Sequence, residues 1–306
     1  MAERARNPIV PGRSASAGMV LLDKPEGISS FAALGALKRA FVTRQIGHTG
    51  TLDPFASGLM IALVGPFTKL SSDFTHLDKI YQVTCTFGTE TDTLDPEGSI
   101  VAESPVPSLE RIAKSIPPLT GSILQMPPAY SAIHVNGRRA YDIARSGGTV
   151  ELAPRPVTIY SIELHEYHPP MLDITVACSS GTYIRSLVRD LGRASGSVAH
   201  VSRLRRTRVG PFAVEEAFDP MSLNTELALS GALDGIRRMP GIGVRIVDSE
   251  VEARLSSGRV LRHSDFRPSL ADEGSYLLFG SSGALLAGIR LKKGKLEYRF
   301  VVPGTG

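Results

Sequence analysis

Residues Gly47 to Pro54 read GHTGTLDP, and no helix interior accommodates that octet. Gly47 and Gly50 open backbone angles that other residues avoid, and Pro54 pushes Asp53 toward an extended conformation. The chain must form a defined loop here, and that loop presents one carboxylate, Asp53. A lone acid before proline is equally the mark of an Asx turn. The octet by itself therefore leaves open whether Asp53 is a nucleophile or a turn residue.

The flanks of the octet differ in kind. Ser29 or Ser30 can cap a helix running to about Val42, with Phe31, Leu34, Leu37 and Phe41 as its inward stripe. Leu59–Val64 reads as a buried strand and Phe67–Phe74 as a short helix. Lys79–Phe87 alternates, placing Tyr81, Val83, Cys85 and Phe87 on one face, so it is a half-buried strand. The acidic stretch Gly88–Gly98 misses the calcium-loop spacing and reads as a solvated loop. A short helix over Ser108–Ile116 should stop at Pro117. The segment Gln125–Gly148 is a distinct insert with a hairpin signal at Asn136-Gly137 and the basic residues Arg138, Arg139 and Arg145. Val157–Leu164 and Leu172–Cys178 are further strands, Ile184–Ala194 is a helix, and Val198–Val209 is a basic strand. Strands and short helices interleave irregularly, which predicts an α+β fold around a mixed, largely antiparallel sheet with flanking helices. After about Pro240, a helix at Glu250–Ser257 and three short strands predict a small β-rich C-terminal domain over 241–306.

Charge is unevenly spread. The net charge is only +4, yet Ile184–Arg208 holds seven arginines against one acid, Asp190, and no lysine. Arginine forks match phosphate oxygens, so Arg203, Arg205, Arg206 and Arg208 are candidates for a nucleic-acid surface; a solvated basic face is the plainer alternative. Residues 1–17 lack an apolar signal core and read as a basic disordered tail. No apolar run is long enough to span a bilayer, and the two cysteines sit in apolar runs as reduced thiols. A cytoplasmic protein with no membrane contact is expected, and a monomer in the absence of an apolar surface stripe. His165 and His168 have HxxH spacing, but nothing completes a zinc site, and neither a P-loop nor a dinucleotide fingerprint is present. No metal and no cofactor are expected.

Four separated segments, LDKPEG (Leu22–Gly27), GHTGTLDP, KIY (Lys79–Tyr81) and CSSGTYIR (Cys178–Arg185), resemble in order and spacing the motifs of bacterial tRNA pseudouridine synthases of the TruB type. The resemblance covers about Gly18 to Arg208, and more loosely the C-terminal domain, which looks like a PUA-type RNA-binding module. It implies an active-site cleft in a catalytic domain spanning 18–240, and isomerisation of uridine to pseudouridine at position 55 in the T loop of tRNA. It further implies that Asp53 is the catalytic carboxylate, that Tyr81 stacks on the target base, and that Arg185 pairs with Asp53. His48 would lie against the RNA, Lys24, Tyr183 and Leu204 would line or support the pocket, and the insert at about 125–148 would be a thumb closing on the T-arm stem-loop.

The chemistry fits these residue types. Isomerisation breaks the N1–C1′ bond, turns the base and joins C5 to C1′, so the base must leave the RNA stack. A carboxylate can act as nucleophile or as base at the sugar, and both routes need it ionised. A guanidinium beside it favours the charged form. Tyr183 and Arg185 share a face only in extended chain, so the helix should begin near Ile184. Taken alone, Tyr81 is also what a core tyrosine looks like, Arg185 an ordinary ion pair, and His48 a general base. Two other functions use the same parts: a non-catalytic tRNA-binding or tRNA-folding protein, and a glycosylase that releases the free base.

Overall fold

The structure is a computed structural model, and it describes residues 17–303 apart from 42, 132–133, 136–137, 140–142, 144–147, 149–151, 223–231, 267–268 and 271–272. The strands in chain order are β1 (Gly18–Lys24), β2 (Ile46–His48), β3 (Ser57–Val64), β4 (Lys79–Phe87), β5 (Thr89–Thr91), β6 (Ile100–Glu103), β7 (Gly121–Gln125), β8 (His134–Val135), β9 (Arg138–Arg139), β10 (Arg155–His168), β11 (Met171–Cys178), β12 (Ala199–Val209) and β13 (Phe212–Ala213). A central sheet runs β1-β3-β12-β4-β11-β10-β7, with β2 beside β3 and β13 beside β12. Its pairings are antiparallel except for a short parallel join of β3 to β12, where Arg206 lies opposite Gly58. This is the mixed, largely antiparallel α+β sheet expected from the sequence.

β3 explains why the sheet is thick. Every residue of SGLMIALV is buried. Leu59, Ile61 and Leu63 join a core with Phe67, Phe74 and Phe212, while Met60, Ala62 and Val64 lie under Leu34 and Leu37 of the first helix, Ser30–Ala40. Side chains alternate between faces, so a strand covered on both sides must be apolar throughout. Gly58 has a φ of +105°, and a Cβ there would stand 2.3 Å from the Arg206 carbonyl oxygen, so the parallel join requires glycine. β4 has the expected bounds, and its face of Tyr81, Val83, Cys85 and Phe87 packs beneath Leu187, Val188 and Leu191 of the helix Ile184–Ala194.

Several local expectations are corrected. Phe31 is 71% exposed under the Lys38 ammonium and belongs to no core stripe. The helix expected at Phe67–Phe74 is a 3-10 turn, Gly65–Leu70, followed by a short α-helix, Ser71–Thr75. The acidic loop is not simply solvated, since Asp95 within it is buried. The expected hairpin of the insert appears as β8 paired with β9. Arg145 and residues 1–16 of the tail lie outside the described residues, as do the side chains of Arg138 and Arg139.

Beyond Pro240 a separate sheet runs β14 (Ile242–Ile246), β15 (Gly274–Phe279), β16 (Leu285–Lys292) and β17 (Lys295–Val301), one strand more than the sequence suggested, with a helix at Ser249–Ser256. Its Leu277, Phe279 and Leu285 enter the core shared with Phe67, Phe74 and Phe212. Arg299 binds both oxygens of Asp73 at the same seam. Both cysteines are free and buried. Among the described residues, no helix is long and apolar enough to cross a membrane.

Candidate active site

The octet loop is fixed by three side chains from elsewhere in the chain. Ser30, at the start of the first helix, donates its hydroxyl to the Leu52 carbonyl and accepts from the Leu52 N–H, both at 2.9 Å. Lys24, fully buried at the end of β1, donates its ammonium to the carbonyls of Pro25 (2.9 Å), Ile28 (2.7 Å) and Pro54 (3.3 Å). Burial draws the Lys24 amine down to about 8, partly offset by the Asp53 charge. From β12, Arg206 donates to the carbonyls of Leu59 (2.7 Å) and Gly50 (3.0 Å). Gly47 and Gly50 are absent from the positive-φ positions, so these grips set the loop rather than left-handed glycine angles.

The loop holds Asp53 at the wall of a cavity of about 350 Å³ lined also by Lys79, Tyr81, Thr182, Tyr183, Arg185 and Leu204. Arg185 Nε lies 3.0 Å from Asp53 Oδ2. The same guanidinium donates to Asp95 Oδ2 (3.0 Å), the Thr93 carbonyl (2.8 Å) and the Tyr130 carbonyl (2.8 Å). Asp95 is held in turn by the Thr93 hydroxyl and the Glu97 N–H. A planar fork with several fixed partners cannot swing away from the carboxylate. The Asp53 side chain keeps 35% of its surface open and lines the cavity. Burial nevertheless pushes its carboxyl above the usual range, with Arg185 pulling down, Asp95 pushing up and Lys24 pulling down. The guanidinium favours the charged form as expected, but loss of water around the carboxyl outweighs it.

The helix begins at Ile184 as expected, and Tyr183 and Arg185 both reach the cleft. Tyr81 and Leu204 line the same cavity from neighbouring strands. Burial holds the Tyr81 and Tyr183 hydroxyls protonated. His48, on β2, is kept neutral by burial and by Arg206, and its Nδ1 has no partner among the described residues.

The arginine strand does not form the single phosphate surface its charge suggested. Arg206 is only 3% exposed and donates to the carbonyls of Leu59 and Gly50, so it grips the octet loop from inside and is not part of an open basic surface. Arg203 and Arg205 line a different cavity of about 430 Å³ with Gln82, Thr84 and Asp173, none of which borders the Asp53 cavity. Arg205 is also engaged by both oxygens of Asp23. Arg208 is exposed at the end of β12. Period-2 alternation divides neighbouring arginines between faces, which charge counting ignores.

Sequence reasoning missed Asp95 and Gln125. Gln125, 1% exposed, accepts from the Tyr183 N–H at 2.8 Å and donates to the Tyr183 carbonyl at 3.1 Å. It thus caps from a distant strand a helix whose own N-cap residue makes no side-chain cap. Only a buried amide at the edge of the insert hints at this, and burial is invisible in sequence.

Two family models match the chain in succession: the TruB family pseudouridylate synthase N-terminal domain over residues 38–184, and the tRNA pseudouridylate synthase B C-terminal domain over 185–230. The protein named tRNA pseudouridine synthase B of Corynebacterium aurimucosum is 39% identical over 295 residues, covering 94% of this chain and 97% of that one. The protein of the same name from Borreliella burgdorferi (strain ZS7) is 44% identical over 203 residues, covering 65% of this chain and 72% of its own. Among solved structures, a chain of a Cbf5-Nop10-Gar1 complex superposes with a TM-score of 0.66 at 21% identity, over 94% of this chain and 86% of that chain, a likeness of fold. With that fold, with Asp53 and Arg185 meeting in one cleft, and with sequence identity sustained over almost the whole length of a relative, the chain belongs to the TruB family of pseudouridylate synthases.

Proposed function

We propose that the protein isomerises uridine to pseudouridine in tRNA, at position 55 of the T loop, with Asp53 as the catalytic carboxylate. The observation that carries this reading is the Asp53–Arg185–Asp95 arrangement opening on a cavity beside Tyr81. The flipped uracil lies against the Tyr81 ring, where stacking is worth roughly 1–3 kcal/mol. Asp53 then acts at the sugar while the N1–C1′ bond breaks. The base turns, C5 joins C1′, and the hydrogen lost from C5 is balanced by the one gained at N1, so neither redox chemistry nor ATP is needed. Arg185 favours the ionised carboxylate and offsets part of the burial that opposes it.

Lys24 supports the loop, while Tyr183 and Leu204 shape the pocket. His48 faces the RNA, and the insert at about 125–148, with Arg138, Arg139 and Arg145, closes over the T-arm with Arg208 on the flank. The unit at 241–306 serves as an RNA-binding module, and the protein works as a monomer in the cytoplasm.

The test uses a T-arm stem-loop RNA with one target uridine, incubated with wild type and with Asp53→Asn, followed by chromatography of the nucleosides. Pseudouridine is expected with wild type alone, while both proteins bind the RNA within a small factor of each other. Wild-type turnover by Asp53→Asn would remove Asp53 from the chemistry. Tight binding without product by either protein would move the chain to a purely RNA-binding role.

A further inference from the structure

The cavity that holds Asp53 is also lined by two cations, Lys79 and Arg206, that the chemistry at Asp53 leaves unused. Lys79 begins β4, is 8% exposed and lines the cavity two residues from Tyr81 on the same strand face. Its ammonium makes one hydrogen bond, to the Thr75 carbonyl at 2.7 Å, which leaves two of its three donors for another partner. Arg206 lies close enough to Lys79 for their charges to oppose one another, and its own partners are the carbonyls of Leu59 and Gly50 and the Tyr81 hydroxyl.

Among the described residues, neither cation is paired with a carboxylate. Asp53 is taken by Arg185, and Asp78 accepts from the Tyr160 hydroxyl. The Cys178 thiol, a neighbour of Lys79, is pushed up to about 11 by burial and supplies no negative charge. Burial and Arg206 together draw the Lys79 amine down to about 8, with the neighbouring Asp78 carboxylate pulling the other way by less. Two buried cations thus line the cavity that holds Asp53, and Lys79 brings unused donors to it.

We propose that Lys79, backed by Arg206, binds a phosphodiester oxygen flanking the flipped nucleotide. This rests on the reading of the cavity as the uridine site. A nucleotide carries base, sugar and phosphate in fixed sequence. With the base on Tyr81 and C1′ at Asp53, a flanking phosphate is the anion that Lys79 can meet. The site would grip the target nucleotide whatever its neighbours are, because phosphates carry no sequence information. It would also hold the sugar still while the base is detached and turned.

A thermodynamic cycle tests the contact. Stem-loop RNAs carry a neutral methylphosphonate at the linkage 5′ or 3′ to the target. The nucleotide preceding each tested linkage is a 2′-deoxynucleotide in the modified RNA and its control alike. Kd is measured for wild type, Lys79→Met and Lys79→Arg. Lys79→Met and the methylphosphonate at one of the two linkages should each weaken binding roughly 10-fold, and together no more than either alone, as expected of coupled partners. Lys79→Arg should retain the sensitivity to the neutral linkage. Losses that multiply at both linkages would overturn the proposal, and so would a Lys79→Met protein that binds as wild type. The readout is binding, so an absence of pseudouridine in the activity assay would count against the reaction and not against this contact.

Discussion

Arg185 has to satisfy four oxygens at once: Asp53, Asp95 and the carbonyls of Thr93 and Tyr130. A lysine would keep the charge but not the fork. Arg185→Lys is therefore expected to lower kcat at neutral pH by at least about tenfold, in line with loss of a bridging guanidinium. The pH profile fixes the cause. Asp53 already sits above the usual carboxylate range because of burial, and Arg185 is the main influence drawing it down. Weakening that pull raises it further, so the acid limb of kcat/KM should move to higher pH. An unchanged acid limb with reduced kcat would mean that Arg185 acts only by shaping the site. Gln125 works one step further out. Gln125→Ala leaves the Tyr183 N–H without its partner, a loss of about 1–3 kcal/mol in a buried setting. The expected result is a fall in kcat larger than any rise in KM, because the start of the Arg185 helix is displaced while the RNA surface is intact.

At the level of elements, the join of β3 to β12 decides where the loop sits. Gly58 lets the two strands approach, and Arg206 reaches across that join to the carbonyls of Gly50 and Leu59. Arg206→Ala should cost about 3 kcal/mol or more, since buried acceptors lose a charged donor. Denaturant unfolding measures that loss. The salt dependence of RNA binding should flatten by no more than about one phosphate's share at temperatures where the variant is folded, because Arg206 lies off the open surface and acts only behind Lys79. A larger flattening would return Arg206 to the nucleic-acid surface.

On the scale of the whole molecule, the sheet after Pro240 is not an appendage on a tether. Phe279 is fully buried and meets Phe67 with ring centroids 6.1 Å apart, and Arg299 reaches Asp73 across the same seam. Phe279→Ala should destabilise the protein by about 3–5 kcal/mol, the cost of emptying a phenylalanine site in a core. Because the core is shared, the two sheets should unfold in one transition, by circular dichroism and by a probe on the first helix alike. Two separated transitions, with only the later one unchanged, would show that the seam is weaker than its packing indicates.

Local and periodic features were legible in the sequence: the bounds of β4, the buried β3, the start of the helix at Ile184, and a loop at Asp53. Each follows from short-range rules, namely alternation, capping and the stiffness of proline, which operate within a few residues. The same linear signals misled wherever the answer depended on a distant surface. Phe31 fits a helical stripe but faces solvent, and Arg206 stands among arginines that look alike until the sheet assigns their faces. Asp95 and Gln125 carry no local mark because their partners lie 90 and 58 residues away. The sequence determined that one carboxylate would be displayed on a loop. Only the tertiary structure decided its charge environment, because burial depends on what the rest of the chain brings against it.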